Sequence, residues 1–441
     1  MKDVFKGASG VILIPICFVI VAFVWWVLFQ NVDFSIASVL GIALFLLPVF
    51  LPFVLFYLTY DRWMAFVRTM FVYKMGRKTL RIKLPTEVLK SPEAMETVFT
   101  YIFAPMNPDN LYQAYIDGKH KQPISFELVS IGGDVRFYIN VPSKLKDVVE
   151  SQLYAAYPGV EVEEELLDYA LELQWRPEEM DLMSFHVTKK EDAIFPIKTY
   201  IEFGHDRLPK EEEKVEPMAA LIEFMSTAKP HERVYIQIIC IPHAKENFNN
   251  GYLSEKGTWE KEARAKINEM MGRDERGRSI VEETESRPVL TPGERDTITA
   301  IERNISKVAY DVGIRTMYVT LDKTKFNPQM IAPTFGGFTQ YSVIGRNALG
   351  PRWKTDFDHS WYEDFSGAKK LARKAQEVTD YKLRVYNPEF QGADGMKTMS
   401  AEELATIFHI PGSAILTPGL SRIPSARREA PSNLPTGQLP Y

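Results

Sequence analysis

The sequence predicts an α+β protein with an N-terminal transmembrane helical hairpin, a ferredoxin-like (βαββαβ) unit and a second, looser α+β unit. Two observations lead to this fold class. Two long apolar runs lie at the N-terminal end, and the following residues alternate between period-two and helical hydrophobic patterns. The predicted domains are 1–76 (hairpin and interfacial helix), 77–170 (ferredoxin-like domain), 171–398 (second α+β domain) and 399–441 (short helix and proline-rich tail).

The apolar runs extend over Val11–Gln30 and Phe34–Leu58. About 20 helical residues at a rise of 1.5 Å cross the roughly 30 Å hydrocarbon layer, so each run is long enough to span a bilayer. A cleaved signal peptide or a soluble helix pair fits less well, because the first run lacks a small-residue cleavage site and a polar face. The sequence therefore predicts two spans joined by a tight turn.

Charge predicts the orientation of this hairpin. Residues 1–83 carry a net charge of +6, whereas residues 84–441 carry −11. Because positive flanks stay inside, we expect a two-pass protein of the cytoplasmic membrane with both termini and the large domain cytoplasmic. Membrane lipid is a predicted partner, and the predicted membrane-interface residues are Arg62, Trp63, Arg68, Lys74, Arg77 and Lys78.

The ferredoxin-like unit follows from six successive patterns. The first is a strand, Thr79–Leu84, and the second is a helix that Ser91-Pro92-Glu93 opens. Two alternating runs then flank Gly132-Gly133-Asp134, a hairpin signal. The last two patterns are a helix over Ser143–Tyr157 and a strand over Val160–Glu164.

The second unit has similar but weaker patterns. No residue-level repeat links it to the first unit, so duplication is only a hypothesis. A polar stretch at about 245–290 predicts a mobile insertion. The predicted strands are Leu182–Thr188, Phe195–Phe203, Val234–Ile241, Arg315–Leu321 and Tyr381–Tyr386, and the predicted helices are Val215–Ala228 and Thr291–Asp311.

Catalytic motifs are missing from the sequence. It contains no P-loop, no G-x-S-x-G elbow and no H-E-x-x-H zinc motif. The seven histidines are dispersed, and two cysteines, Cys17 and Cys240, provide neither a disulfide framework nor a zinc site. We therefore expect no catalytic, metal or nucleotide site and no cofactor, and the acidic body disfavours direct nucleic-acid binding.

The C-terminal part begins with a short helix over Met399–Phe408. Ser400 is the expected N-cap, and Leu404, Ile407 and Phe408 are candidate partner-docking residues. From Pro418 the chain is rich in proline and lacks apolar periodicity, which is typical of an extended or disordered linker.

Three stretches carry a family resemblance: Ser125–Val129 with Arg136–Ile139, Glu150–Gly159, and Glu402–Pro411. They resemble a little-characterised bacterial family of membrane-anchored proteins. That family is related to the region preceding the motor domain in conjugation and type IV secretion ATPases of the FtsK-like superfamily. In such relatives the tail leads into an ATPase domain, and this sequence lacks that domain.

The leading functional hypothesis is therefore a membrane-anchored, non-catalytic component of a type IV secretion or conjugation-like machine. It would dock a separate cytoplasmic ATPase or assemble with copies of itself. One alternative is an inner-leaflet enzyme whose polar residues converge from several loops on lipid or a membrane-bound substrate. Another is a scaffold unrelated to secretion.

Overall fold

The structure is a computed structural model. It describes residues 36–86, 90–204, 216–244, 246–249, 252–254, 258–273, 290–355, 364, 366–386, 395–412, 417 and 419–423. The chain divides into two compact units. Unit 1 comprises Met1–Lys74, Asn107–His120 and Glu246–Ser254, and unit 2 comprises Met75–Met106, Lys121–Lys245 and Glu255–Tyr441.

Helices and strands alternate along the described residues. The helices are α1 (Ile36–Met75), α2 (Glu93–Tyr101), α3 (Leu111–Tyr115), α4 (Lys146–Ala156), α5 (Ala219–Ser226), α6 (Thr258–Met270), α7 (Pro292–Ile305), α8 (Ile331–Gly336), α9 (Ala368–Leu383) and α10 (Ala401–Ile407). The strands are β1 (Arg77–Pro85), β2 (Ile124–Ile131), β3 (Asp134–Pro142), β4 (Glu161–Glu165), β5 (Asp181–Lys189), β6 (Glu232–Pro242), β7 (Glu246–Asn249), β8 (Tyr252–Ser254), β9 (Ala309–Thr320), β10 (Leu349–Lys354), β11 (Lys397–Ser400) and β12 (Arg422–Ile423).

The transmembrane hairpin is the main correction to the sequence-based expectation. No helix in the described part of the chain has the length and apolar character needed to cross a membrane. The first predicted span, Val11–Gln30, lies outside the described residues. The second predicted span, Phe34–Leu58, was inferred from the length and apolar composition of the run. From Ile36 onward its residues belong to one 40-residue helix, α1, which runs through Pro48 and Pro52 into a charged segment.

Two further predictions depended on this hairpin. The two-pass placement in the cytoplasmic membrane, with both termini and the large domain cytoplasmic, is wrong. So is the transmembrane part of the predicted fold class. What the structure shows instead is an α+β domain built on a ten-stranded sheet.

Unit 1 is organised around the C-terminal half of α1. Met64 and Val67 are buried, and the Trp63 indole nitrogen donates a 2.8 Å hydrogen bond to the carbonyl of Tyr115 on α3. Gly118 approaches so closely that a Cβ there would lie 2.4 Å from the backbone of Val67. One face of this half-helix is therefore covered by the segment that carries α3.

Unit 2 is built on the sheet, whose order is β10-β5-β9-β6-β2-β3-β1-β12, with β11 beside β9 and β4 beside β1. Neighbouring strands are antiparallel except for β12, which runs parallel to β1. Gly132 and Gly133 both have positive φ, as a tight β2–β3 hairpin requires. The β2–β6 pairing carries the sheet across residue 170, where the sequence suggested a domain boundary.

The sheet contains the same strand arrangement twice. The first four strands lie in the order β4-β1-β3-β2, and the second set lies in the order β10-β5-β9-β6. In both sets the order is fourth, first, third, second, which is that of a split βαβ unit. In the second set the two helices α6 and α7 lie between β6 and β9 in the chain, in place of a hairpin.

Some predicted elements differ from the observed ones. Phe195–Phe203 is a series of turns, because Ile197 and Tyr200 donate their backbone N–H groups to the side chains of Glu403 and Thr406. Tyr381 belongs to the end of helix α9, since helical spacing continues through it. The predicted strand at Arg315 starts earlier, at Ala309, where β11 pairs with it.

The two faces of the sheet have different coverings. The larger core lies beneath α2, α4, α5 and α10, and Phe126 of β2 packs there against Phe408 with ring centroids 5.2 Å apart. The opposite face is covered by α9 and by the 3-10 turn Tyr169–Glu172. Polar side chains are concentrated on this opposite face.

Candidate functional site

A row of polar side chains crosses the sheet beneath α9. Glu127 on β2 pairs with Gln237 on β6, Gln237 pairs with Arg315 on β9, and Arg315 pairs with His186 on β5. Because residues paired across strands point to the same face, the four side chains form one line. All four are buried.

Hydrogen bonds run along this row. Arg315 Nη1 donates to Gln237 Oε1 over 2.7 Å, and Gln237 Nε2 donates to Glu127 Oε1 over 2.9 Å. Gln237 Nε2 also lies 3.0 Å from the backbone oxygen of Tyr381. The strands and α9 are therefore joined by one continuous polar network.

Glu377 of α9 supplies a central negative charge. Its Oε1 accepts hydrogen bonds from Arg315 Nε at 2.6 Å and from Ser184 Oγ at 3.0 Å, and it lies 2.8 Å from His186 Nε2. Burial acts to raise the pKa of Glu377. The charges of Arg315 and His186 outweigh it and hold that pKa below its ordinary value.

Arg384 closes the other end of the network. Its Nε and Nη2 donate to the two oxygens of Glu127 over 3.0 and 3.2 Å, and Nη2 also donates to Asp168 over 2.9 Å. Among the described non-glycine residues, Arg384 alone has a positive φ, 54°. The ion pairs thus hold the end of α9 in a left-handed conformation that costs free energy.

Glu127 has several donors. Ser125 Oγ and Tyr169 Oη donate to its oxygens in addition to Gln237 and Arg384. Burial alone would raise the pKa of Glu127, but the charge and hydrogen bonds of Arg384 lower it below the ordinary value. This carboxylate is ionised and fully occupied by protein donors, as in a structural ion pair.

Acid should weaken the network. Because folding lowers the pKa values of Glu127 and Glu377 below 4.5, their contribution is complete above pH 4.5 and is lost as pH falls. Glu402 of α10 has the opposite pH dependence. Burial raises its pKa, so its contribution to stability declines as pH rises above 4.5. We expect chemical denaturation of Glu402→Gln to show stability falling from pH 4.5 towards about pH 2. A flat profile would contradict this.

Gly313 provides space for Tyr386, which follows α9. A Cβ at Gly313 would lie 2.6 Å from the Tyr386 ring, which itself stacks on His186 with centroids 4.8 Å apart. We expect Gly313→Ala to destabilise the protein by about 1–3 kcal/mol through overpacking. Denaturant unfolding would measure this. Adding Tyr386→Ala should make the glycine substitution nearly neutral, and an equal effect in both backgrounds would refute the steric explanation.

The C-terminal motif holds a second buried ion pair. Lys189 Nζ lies 2.8 Å from Glu403, and both side chains are fully buried. Glu403 also completes a capping box with Ser400 at the start of α10. This part of the motif therefore joins α10 to the end of β5.

The predicted interface residues do not form one set. In unit 1, Arg62, Trp63 and Lys74 are exposed and Arg68 is half-buried. In unit 2, Arg77 Nε donates to Asn140 over 2.6 Å, and burial followed by the charge of Arg384 lowers the Arg77 pKa to about 10. Lys78 forms an ion pair with Glu164. Arg77 and Lys78 are thus engaged in contacts within the sheet.

The candidate docking residues Leu404, Ile407 and Phe408 are buried in the larger core. A partner cannot contact them in this conformation. Sequence reasoning missed Glu127, Arg315, Glu377 and Arg384. The available signal was a charged residue inside an apolar strand, as at Glu127 between Phe126 and Leu128.

Within the described ranges, no group of three or more His, Cys, Asp or Glu side chains is arranged to hold a metal ion. The model of a family described as a domain of unknown function (DUF8128) matches residues 76–422. No curated protein matches the chain. The matched range includes the whole polar network and the ion pair between Lys189 and Glu403.

Proposed function

The chain belongs to the DUF8128 family, a domain of unknown function, and we propose that it is a non-catalytic assembly component of a secretion or DNA-transfer machine. It associates with neighbouring copies and docks a separate ATPase. The resemblance of Ser125–Val129, Glu150–Gly159 and Glu402–Pro411 to the pre-motor region of such ATPases supports the kind of machine.

The polar network supports a structural role for the sheet face. Catalysis requires a polar group that can reach a substrate, but the carboxylates of Glu127 and Glu377 are buried. They are occupied by donors from four strands and by Arg384, which follows α9. Breaking those contacts to admit a substrate would expose unpaired buried charges, which is costly. The network instead makes α9 a rigid part of unit 2.

The observation that carries the proposal is the exposed apolar surface of α1. Nine large apolar side chains between Leu44 and Phe56 are 42% to 79% exposed. At about 150–250 Å² for a whole aromatic side chain, they expose on the order of 800 Å², the amount one partner contributes to a standard interface. Monomers rarely expose such a surface, so α1 is suited to being covered by neighbouring copies.

Sedimentation velocity of the purified full chain tests self-association. We expect oligomers for the native chain and a shift to monomer for Phe45→Glu with Phe53→Glu, since both side chains are exposed and their replacement leaves unit 2 intact. Ile344→Glu is the matched control, because Ile344 is fully exposed on unit 2. A native chain that is monomeric and fails to bind a motor ATPase encoded beside it would refute the proposal.

A further inference from the structure

The first and the last strand of unit 2 lie side by side in the sheet. The first, β1, is separated from α1 by a single residue. The last strand in the described part of the chain, β12, pairs in parallel with the end of β1 at Leu84 and Pro85. We name the segment Gly419–Ile423, which ends in β12, the C-terminal strap. The chain therefore enters unit 2 on β1 and leaves the strap beside the same strand.

Hydrogen bonds fix the C-terminal end of the strap. The carbonyl of Ile423 accepts from the backbone N–H of Thr86 at 3.0 Å and from the Thr86 hydroxyl at 2.8 Å. Arg422 donates from Nη1 to the carbonyl of Pro85 over 3.1 Å and from Nη2 to the carbonyl of Gly412 over 2.7 Å. Bonds from a charged donor are stronger than neutral ones. Arg422 thus ties the strap both to β1 and to the segment that follows α10.

The other end of the strap lies across the start of β3. The carbonyl of Gly419 accepts a hydrogen bond from the backbone N–H of Val135 over 2.7 Å, and Leu420 is buried in the larger core. A Cβ at Gly419 would lie 2.1 Å from the carbonyl oxygen of Gly133, so a side chain does not fit there. The strap is therefore seated on two strands of the sheet.

Strand direction determines how these contacts would carry a pull. The chain passes from α1 into the N-terminal end of β1, and it leaves the strap at the opposite end, about 26 Å away at about 3.3 Å per residue of β1. Because the strands are parallel, opposing pulls on α1 and on the chain beyond Ile423 would slide one strand along the other. In this shear geometry the bonds of the strap share the load. Pulls applied at one common end would break them one after another.

We propose that unit 2 bears tension between α1 and the chain beyond Ile423, and that the C-terminal strap is the clamp that holds it. This inference rests on the proposed function, in which neighbouring copies cover α1 and a separate ATPase docks. Force from the docked motor on the chain beyond Ile423 then reaches α1 directly through the strap and β1. The strands that carry the polar network, β2, β6, β9 and β5, lie outside this path and keep the sheet rigid beside it.

Optical tweezers on the full chain test the clamp by comparing two pulling directions. In a Cys17→Ser background, handles are attached at Lys74→Cys and Tyr441→Cys for shear, or at Lys90→Cys and Tyr441→Cys for peeling. Lys74 and Lys90 are exposed and lie before and after β1. Burial raises the pKa of the Cys240 thiol, so Cys240 should not react.

Detachment of the strap should lengthen the chain between Gly412 and Ile423 by up to about 40 Å in both directions of pulling. We expect this step to need a several-fold higher force in shear than in peeling. Equal forces overturn the inference and leave the proposed function standing. A native chain that is monomeric and binds no ATPase overturns both.

Arg422→Ala gives the second readout. In the shear direction at constant force, the lifetime of the attached strap should fall by about ten-fold, because two hydrogen bonds from a charged group are lost. Arg176→Ala is the matched control, since Arg176 pairs with Glu179 on the exposed surface and lies outside the path of the load. Its lifetime should equal that of the native chain. An Arg422→Ala lifetime that also equals the native one overturns the inference.

Discussion

Glu377→Ala is expected to lower the free energy of unfolding by about 3–5 kcal/mol, because it leaves the buried guanidinium of Arg315 without its main counter-charge. Urea denaturation followed by far-UV circular dichroism would measure the change. The substitution also removes the carboxylate oxygen that His186 Nε2 contacts together with Arg315. A loss of unfolding free energy well below this range would mean that α9 is held mainly by its apolar residues.

Two further variants separate charge from packing. Replacing Glu377 and Arg315 together by Ala and Met removes both charges, and the double variant should be more stable than Glu377→Ala alone. Glu179→Ala is the matched surface control, since its ion pair with Arg176 is exposed and should contribute little. If the double variant is the least stable, Arg315 stabilises the fold independently of Glu377.

Much of the sheet followed from the sequence because its strands alternate clearly and their turns use glycine. The hairpin around Gly132-Gly133 and the strand at Val234 are examples, and both lie close to the predicted positions. How the two four-stranded sets join into one sheet could not be predicted from the sequence. Pairing of Glu127 with Gln237 depends on which edges meet, and hydrophobic periodicity within one strand carries no information about that.

Apolar composition misled the analysis of α1. An apolar run shows that side chains avoid water, but it does not identify what covers them. The charged half of the same helix, from Arg62 to Lys74, carries its own exposed stripe of aromatic residues. Trp63 was predicted to lie at a lipid interface, and in the structure its indole nitrogen donates a hydrogen bond to the Tyr115 carbonyl.

The polar network escaped prediction for a different reason. Its members come from β2, β6, β9, β5 and α9, and they are separated by up to 257 residues in the chain. Glu127 and Gln237 each interrupt an apolar strand, which was a local signal of a buried polar partner. Glu377 lies on a helix that the sequence did not predict, and Arg384 directly follows that helix.

Phe408 decides between two interpretations of the C-terminal motif. Its ring packs against Phe126 and Phe137, with centroids 5.2 and 5.9 Å away, and it is fully buried. We expect Phe408→Ala to lower the free energy of unfolding by about 3–5 kcal/mol, because it opens a cavity between α10 and the sheet. Thermal or urea unfolding of the full chain would measure it.

The size-conserving variant Phe408→Leu is the control and should cost less than about 1.5 kcal/mol, since most of the volume remains. A docking residue would behave differently: Phe408→Ala would then leave stability unchanged and reduce only the binding of a partner. The buried ion pair between Lys189 and Glu403 holds the neighbouring turn of α10 against β5, so the motif stabilises the fold from two adjacent positions. Loss of stability in Phe408→Ala, with self-association retained at temperatures where the variant is folded, would assign the motif to the core.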